Sequence, residues 1–322
     1  MKSLAVIGFF LILTVLLFSG GTAFSQSEFS GTIYMLNPSN NEVLVFDLSK
    51  GSVTDAIKTG KKPVDICKTP DGKKVYVLNN ESDDIYVIDT KGKKVTKKVG
   101  VGNGPVNMYM TSDGRYLYVT NFDSYNFMTI YTRDDRLSAN VRIEFRPSGT
   151  AMSPDRKYGL INDGQRNESI LFDGITNDMQ DVIQVGASPA KILMTPDSRY
   201  GIVLNTMSGT VSVVDLWLKR VHETIPVGKE PKDMKLSPDG SLLYVPSPVA
   251  GSISVINLTN FKVAKTIELN AVINGIDISP DGRYIYAVSP SAESVFVIEA
   301  DSGKIKSQFY IGLIPTLICY VP

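Results

Sequence analysis

The side chains best suited to chemistry in this sequence are few and widely separated. His222 is the only histidine, and a general base or metal ligand needs a cleft and an orienting partner. Its equivalents at intervals of 42 residues are Thr54, Thr96, Ser138, Gln180, Ala264 and Lys306. That column is mostly polar and falls on an outer strand, so His222 is expected to face solvent. A Ser-His-Asp triad therefore has no base to work with. Cys-x-x-Cys-His, zinc-ligand spacing and a glycine-rich phosphate loop are absent as well. The acidic stretch Asn79-Asn-Glu-Ser-Asp-Asp84 lacks the spacing of a calcium loop and reads as a solvated turn. No catalytic residue, metal site or cofactor is expected.

Binding chemistry is better supplied. Tyr125, Phe145, Arg146 and Arg166 depart from the small polar residues found at equivalent places. Two guanidiniums beside two rings suit an anionic ligand or a peptide. Asp65, Asn107, Lys191 and Asp233 share one column and form a mixed polar ring, which can hold a ligand or simply wet the wall of a channel. Trp217, Leu218 and Phe261 replace polar turn residues, which suggests a docking patch for a protein or a membrane surface, or local self-packing of Trp217. The two cysteines, Cys67 and Cys319, are six periods apart in one column. A disulfide wants its Cα atoms about 5.5 Å apart while packed sheets lie about 10 Å apart, so buried free thiols are favoured.

The elements that must position these residues follow from the repeat. Asp71, Asp113, Asp155, Asp197, Asp239 and Asp281 stand 42 apart in Ser-Pro-Asp-Gly-like turns, where Asp bonds its own backbone and Gly permits a left-handed exit. The prolines ahead of those hairpins, at 63, 105, 147, 189, 231 and 315, keep the same period, with Ile273 in the remaining slot. Each unit contains four short alternating strands, A to D, without helical periodicity. Such a period is the mark of a repeat architecture, and four-stranded units repeated radially make a propeller. The chain begins with strands B, C and D (Ile33, Val43 and Val53 onward) and ends with a lone strand A (Pro315 to Tyr320). The last strand should therefore complete the first blade, giving an all-β, seven-bladed propeller closed by its own C-terminus.

With Tyr116-Leu-Tyr-Val-Thr-Asn121 and Val211-Ser-Val-Val-Asp215, the unit resembles the YVTN-repeat seven-bladed β-propellers over about residues 31 to 322. The resemblance implies an exported envelope or cell-surface binding protein. It also brings in two alternatives, a lactonase- or lyase-like propeller enzyme and an accessory protein of a periplasmic quinoprotein or cytochrome system. WD40 repeats match poorly, because one Trp and one His cannot serve seven blades.

Composition sets further limits. The chain has 33 basic and 33 acidic residues, so it offers no global basic field for nucleic acid. Residues 1–25 read as a signal peptide: Lys2, an apolar core from Leu4 to Phe18, and Ala23-Phe-Ser25 before a new start at Gln26. The core is shorter than the roughly 20 residues a membrane span needs. Residues 26–30 form a short lead. The expected product is a periplasmic or extracellular monomer without a stable membrane span, which binds an envelope protein, a peptide or a small ligand and is not an enzyme.

Overall fold

The computed structural model describes residues 29–322; the expected signal peptide and the first residues of the lead lie outside the described residues. Seven four-stranded antiparallel sheets follow one another, each ordered A-B-C-D from the channel outward. The exception in chain order is the predicted one. The C-terminal strand Ile318–Val321 pairs with Thr32–Asn37, placing Ile33 opposite Tyr320 and Tyr34 opposite Cys319.

Burial explains the strand chemistry. Strands B and C are covered on both faces by neighbouring blades and read as nearly continuous apolar runs, such as Lys74–Asn79 and Glu42–Asp47. Strand D has one face in water and alternates accordingly, as in Arg220–Pro226. Apolar clusters cross from one blade to the next; Tyr244, Ile253 and Val255 pack with Ile276, Ile285 and Ile298. Each fully buried Ile or Val contributes about 1.5–3 kcal/mol, so the ring is held by its inter-blade layers.

The turn chemistry repeats as well. In all six Ser/Thr-x-Asp turns the hydroxyl donates to the Asp carboxylate, and the same carboxylate oxygen accepts a backbone N–H two residues on. Gly240 has φ +72°, and a Cβ there would lie 2.5 Å from Pro196 of the preceding blade's turn. The lead is structural too. Phe29 is buried and packs edge-on against Tyr284, and Gly31, at φ +95°, leaves room for the Tyr320 ring.

Two regularities bear on function. Strand D carries a bulge at one column of every blade, and His222 is the extra residue in blade 5, since Val213 pairs with Glu223 and Val214 with Val221. The strands A differ around the ring. They span six residues from the proline in blades 2 to 5, but only Lys235–Leu236, Gly275–Ile278 and Ile318–Val321 in blades 6, 7 and 1. For blade 6 the cause is Pro246. Its counterpart Leu36 donates its N–H to the Leu317 carbonyl just ahead of strand A, and proline has no N–H to give.

Candidate ligand-binding channel

The strands A line the central channel, and side chains two apart on a strand share a face. Between mid-channel and the A-to-B turns they line a cavity of about 290 Å³ that is open at its mouth. Lys191 and Asp65 stand with Lys68, Lys235, Asp277, Cys67 and Cys319 among apolar walls that include Ile66, Met108, Met110, Leu193 and Met234.

Three aspartates clip successive strands A together. Asp65 Oδ2 accepts the Met108 N–H at 2.7 Å, Asp233 Oδ2 the Ile276 N–H at 3.2 Å, and Asp277 Oδ2 the Tyr320 N–H at 2.7 Å. Each bond reaches the next blade. The remaining oxygens are also engaged: Asp65 Oδ1 accepts the Ile66 N–H, Asp277 Oδ1 the Ile278 N–H, and Asp233 Oδ1 meets Lys191 Nζ at 2.7 Å. Asn107 Nδ2 adds a weaker bond to Asp65 at 3.3 Å. All four residues expected in the polar ring are therefore drawn into the channel network.

Charge follows from this geometry. Burial raises the Asp65 carboxyl above the usual carboxylate range, against the opposing pull of Lys191. Burial also works against a charged Lys191, but Asp233 and Asp65 more than offset it and leave its pKa raised. For Lys235, Asp277 and Asp233 likewise overcome burial, so the ammonium is held charged. Cys67 and Cys319 are free thiols, as favoured from spacing. Burial first, then the Asp277 charge, pushes Cys319 up to about 12, and burial with Asp65 raises Cys67 well above its ordinary value. Neither is a ready thiolate nucleophile.

Sequence reasoning singled out one column of the channel as a binding ring and read the next only as a pair of thiols, at Cys67 and Cys319. Lys235, Asp277, Cys67 and Cys319 lie two residues beyond the polar ring, and strand alternation alone places them on the same side. Lys68 was missed because it sits outside both columns.

The other candidate residues are dispersed. Arg146 and Tyr125 do meet: Arg146 Nε donates to the Tyr125 hydroxyl at 3.1 Å, and its guanidinium lies 5.1 Å from the Phe122 ring and 3.7 Å from Asp123. Those partners are its own neighbours, so the clamp holds two loops together. Phe145 is half-buried and packs toward the cluster of Phe127 and Phe172. Arg166 pairs with Asp163 of its own turn at 3.7 Å. Phe145 and Arg166 thus have partners of their own beside the Arg146–Tyr125 clamp.

Trp217 and Leu218 are exposed, with Arg199 5.5 Å from the Trp217 ring. Phe261 is not an exposed tip. It is half-buried, edge-on to Tyr200 at 5.1 Å and to His222 at 4.8 Å, because the bulge turns His222 over it. Ile175 and Val182 of blade 4 are exposed apolar side chains as well, and the Lys219–Asp181 ion pair at 2.8 Å ties that blade to blade 5. His222 itself is exposed, as its column predicted.

Fold and site together define a seven-bladed β-propeller with a charged cavity in its central channel. The chain belongs to the YNCE-like beta-propeller family, whose model matches residues 14–320. Among solved structures it is similar to a functionally unknown protein from Desulfotomaculum acetoxidans (16% identity, 90% of this chain and 99% of that one, TM-score 0.79). It is also similar to hydrazine synthase from Kuenenia stuttgartiensis (21% identity, 81% and 90%, TM-score 0.70). A third is a putative 6-phosphogluconolactonase from Bacteroides fragilis (16% identity, 94% and 100%, TM-score 0.71). Identities this low show the fold alone. Comparison with curated proteins gives no match.

Proposed function

We propose that this chain is a non-enzymatic binding protein of the cell envelope, exported by its N-terminal segment, which holds a small ligand in the central channel. The observation that carries the reading is the channel cavity: charged groups and apolar side chains line one open-mouthed space. Stability alone does not call for buried lysines, since well-packed apolar residues commonly replace buried ion pairs without loss. Supporting the binding role over hydrolysis, the one histidine lies on the outer strand, away from the channel, and the channel carboxylates are engaged by N–H groups and Lys191.

The test is native mass spectrometry of the protein purified from its own envelope. A non-covalent adduct is expected that disappears on denaturation and in Leu193→Trp, which fills the cavity, with Met110→Trp as a second filling variant. At 100 times its Kd such a ligand adds about 2.7 kcal/mol of stability. An adduct that survives in both filling variants, or no adduct and no ligand-dependent stabilisation, would refute the reading.

A further inference from the structure

Within the channel, the aspartates and the lysines are not equally committed. Asp65 and Asp277 give both carboxylate oxygens to backbone N–H groups, and Asp233 divides its two between Ile276 and Lys191. Two lysines differ sharply from Lys191. Lys235 Nζ comes no nearer than 3.9 Å to Asp277 Oδ1 and makes no hydrogen bond among the described residues. Lys68 Nζ stands 3.9 Å from Asp277 Oδ2 and donates only to the Tyr320 carbonyl. Both side chains are about three-quarters buried, at 25% and 24% exposure.

An ammonium has three donors. Lys235 keeps all three and Lys68 keeps two, whereas every aspartate oxygen of the channel already accepts a bond. The end of the cavity between these lysines thus has donors to spare, and two positive charges share one carboxylate. Partly buried ammonium donors without acceptors are costly unless something supplies them. The walls nearby are apolar, with Met110, Leu193 and Met234 lining the same space.

We propose that the channel takes a small monocarboxylate with an apolar body, its carboxylate received by Lys235 and Lys68 and its body lying along the methionines and Leu193. A single negative charge balances the surplus at Asp277, whereas a cationic head group would face two ammoniums. This proposal rests on the ligand-binding reading above and names the class of ligand for that same site.

The experiment compares three probes with one tail, octanoate, octylammonium and octanol, by isothermal titration with the full mature chain. Octanoate is expected to bind best and to weaken with added salt. Lys235→Met should reduce its affinity by about tenfold or more, the loss of a charge-assisted bond. Lys68→Met provides the same readout should Lys235→Met fail to fold, as judged by circular dichroism, and Lys235→Arg should retain binding. Equal or tighter binding of octanol or octylammonium, octanoate binding unchanged in the methionine variants, or no binding of any probe would overturn the proposal. The native adduct separates the two failures. If it persists while octanoate fails, the channel binds a ligand of other chemistry; if neither is seen, the binding role falls with it.

Discussion

Strands A of blades 2 to 5 and those of blades 6, 7 and 1 line the same channel but are built differently. In the first group strand A runs the full six residues from the proline, with a one-residue register shift just after it. The second group has short ladders and carries Asp233, Lys235, Asp277 and Cys319. Carboxylate clips to the next blade occur in both groups, at Asp65 in the first and at Asp233 and Asp277 in the second, so two of the three fall where backbone pairing is reduced. The regular arc therefore supplies the scaffold. The irregular arc carries Asp233, Lys235 and Asp277, against Asp65, Lys68 and Lys191 in the regular arc, so the channel charge is shared equally while the ladder is not.

Perturbing each arc tests that division, and the seam should give the largest effect. Removing residues 315–322 strips Ile318, Cys319, Tyr320 and Val321 from the core. At about 1.5–3 kcal/mol per buried side chain, the loss is comparable with the whole stability of a domain, about 5–15 kcal/mol. The truncated chain should show no cooperative melt; a full-length melting profile would mean the arcs do not depend on the seam.

Next in size, Asp277→Ala should cost about 3–5 kcal/mol, because it leaves the Tyr320 N–H without its acceptor and two lysines without their nearest carboxylate. In the regular arc, Asn107→Ala removes only a long bond to Asp65 and should cost about 1 kcal/mol. Urea denaturation of both gives the ratio, and equal losses would erase the distinction between the arcs.

Asp65 sharpens the comparison through pH. Its folded pKa is raised above the unfolded value, so the native state takes up the proton first. Its contribution to stability therefore improves as pH falls through the folded pKa toward about 3.9, and is at its worst above that window. The stability difference between the natural chain and Asp65→Asn should grow in favour of the natural chain on acidification. A flat difference would place Asp65 in an ordinary solvated setting.

The smallest effect is expected from Pro246→Val, which restores the missing N–H in blade 6. Hydrogen exchange at residue 246 should become measurable and slow, with stability rising by no more than about 1 kcal/mol. Rapid exchange there would show that Pro246 is not what shortens the strand.

Much of the fold was legible because period and alternation are properties of the chain itself. The Asp turns, the four strands per unit and the C-terminal closure all follow from columns 42 residues apart. The shortness of strand A in blade 6 was not legible in its own residues, since the cause lies on another strand, at Pro246. The site was half legible. Asp65, Asn107, Lys191 and Asp233 could be read as one column, and the next column was available by the same rule. The direction taken by Phe145 and the pairing of Arg166 within its own turn depend on packing that no spacing encodes. Phe261 read as a surface tip because the sequence does not announce that the bulge at His222 leans a ring over it.

That bulge recurs in all seven strands D, at the step between Val45 and Phe46 of strand C and its equivalents in every blade. A ring of stacked sheets presents seven outermost edges to its surroundings, each a template on which another molecule's strand could add. An extra residue in every one of them interrupts the straight row of donors and acceptors and twists it out of line. The repeated irregularity thus guards a multi-edged protein against fibrous self-association, and it does so without touching the channel.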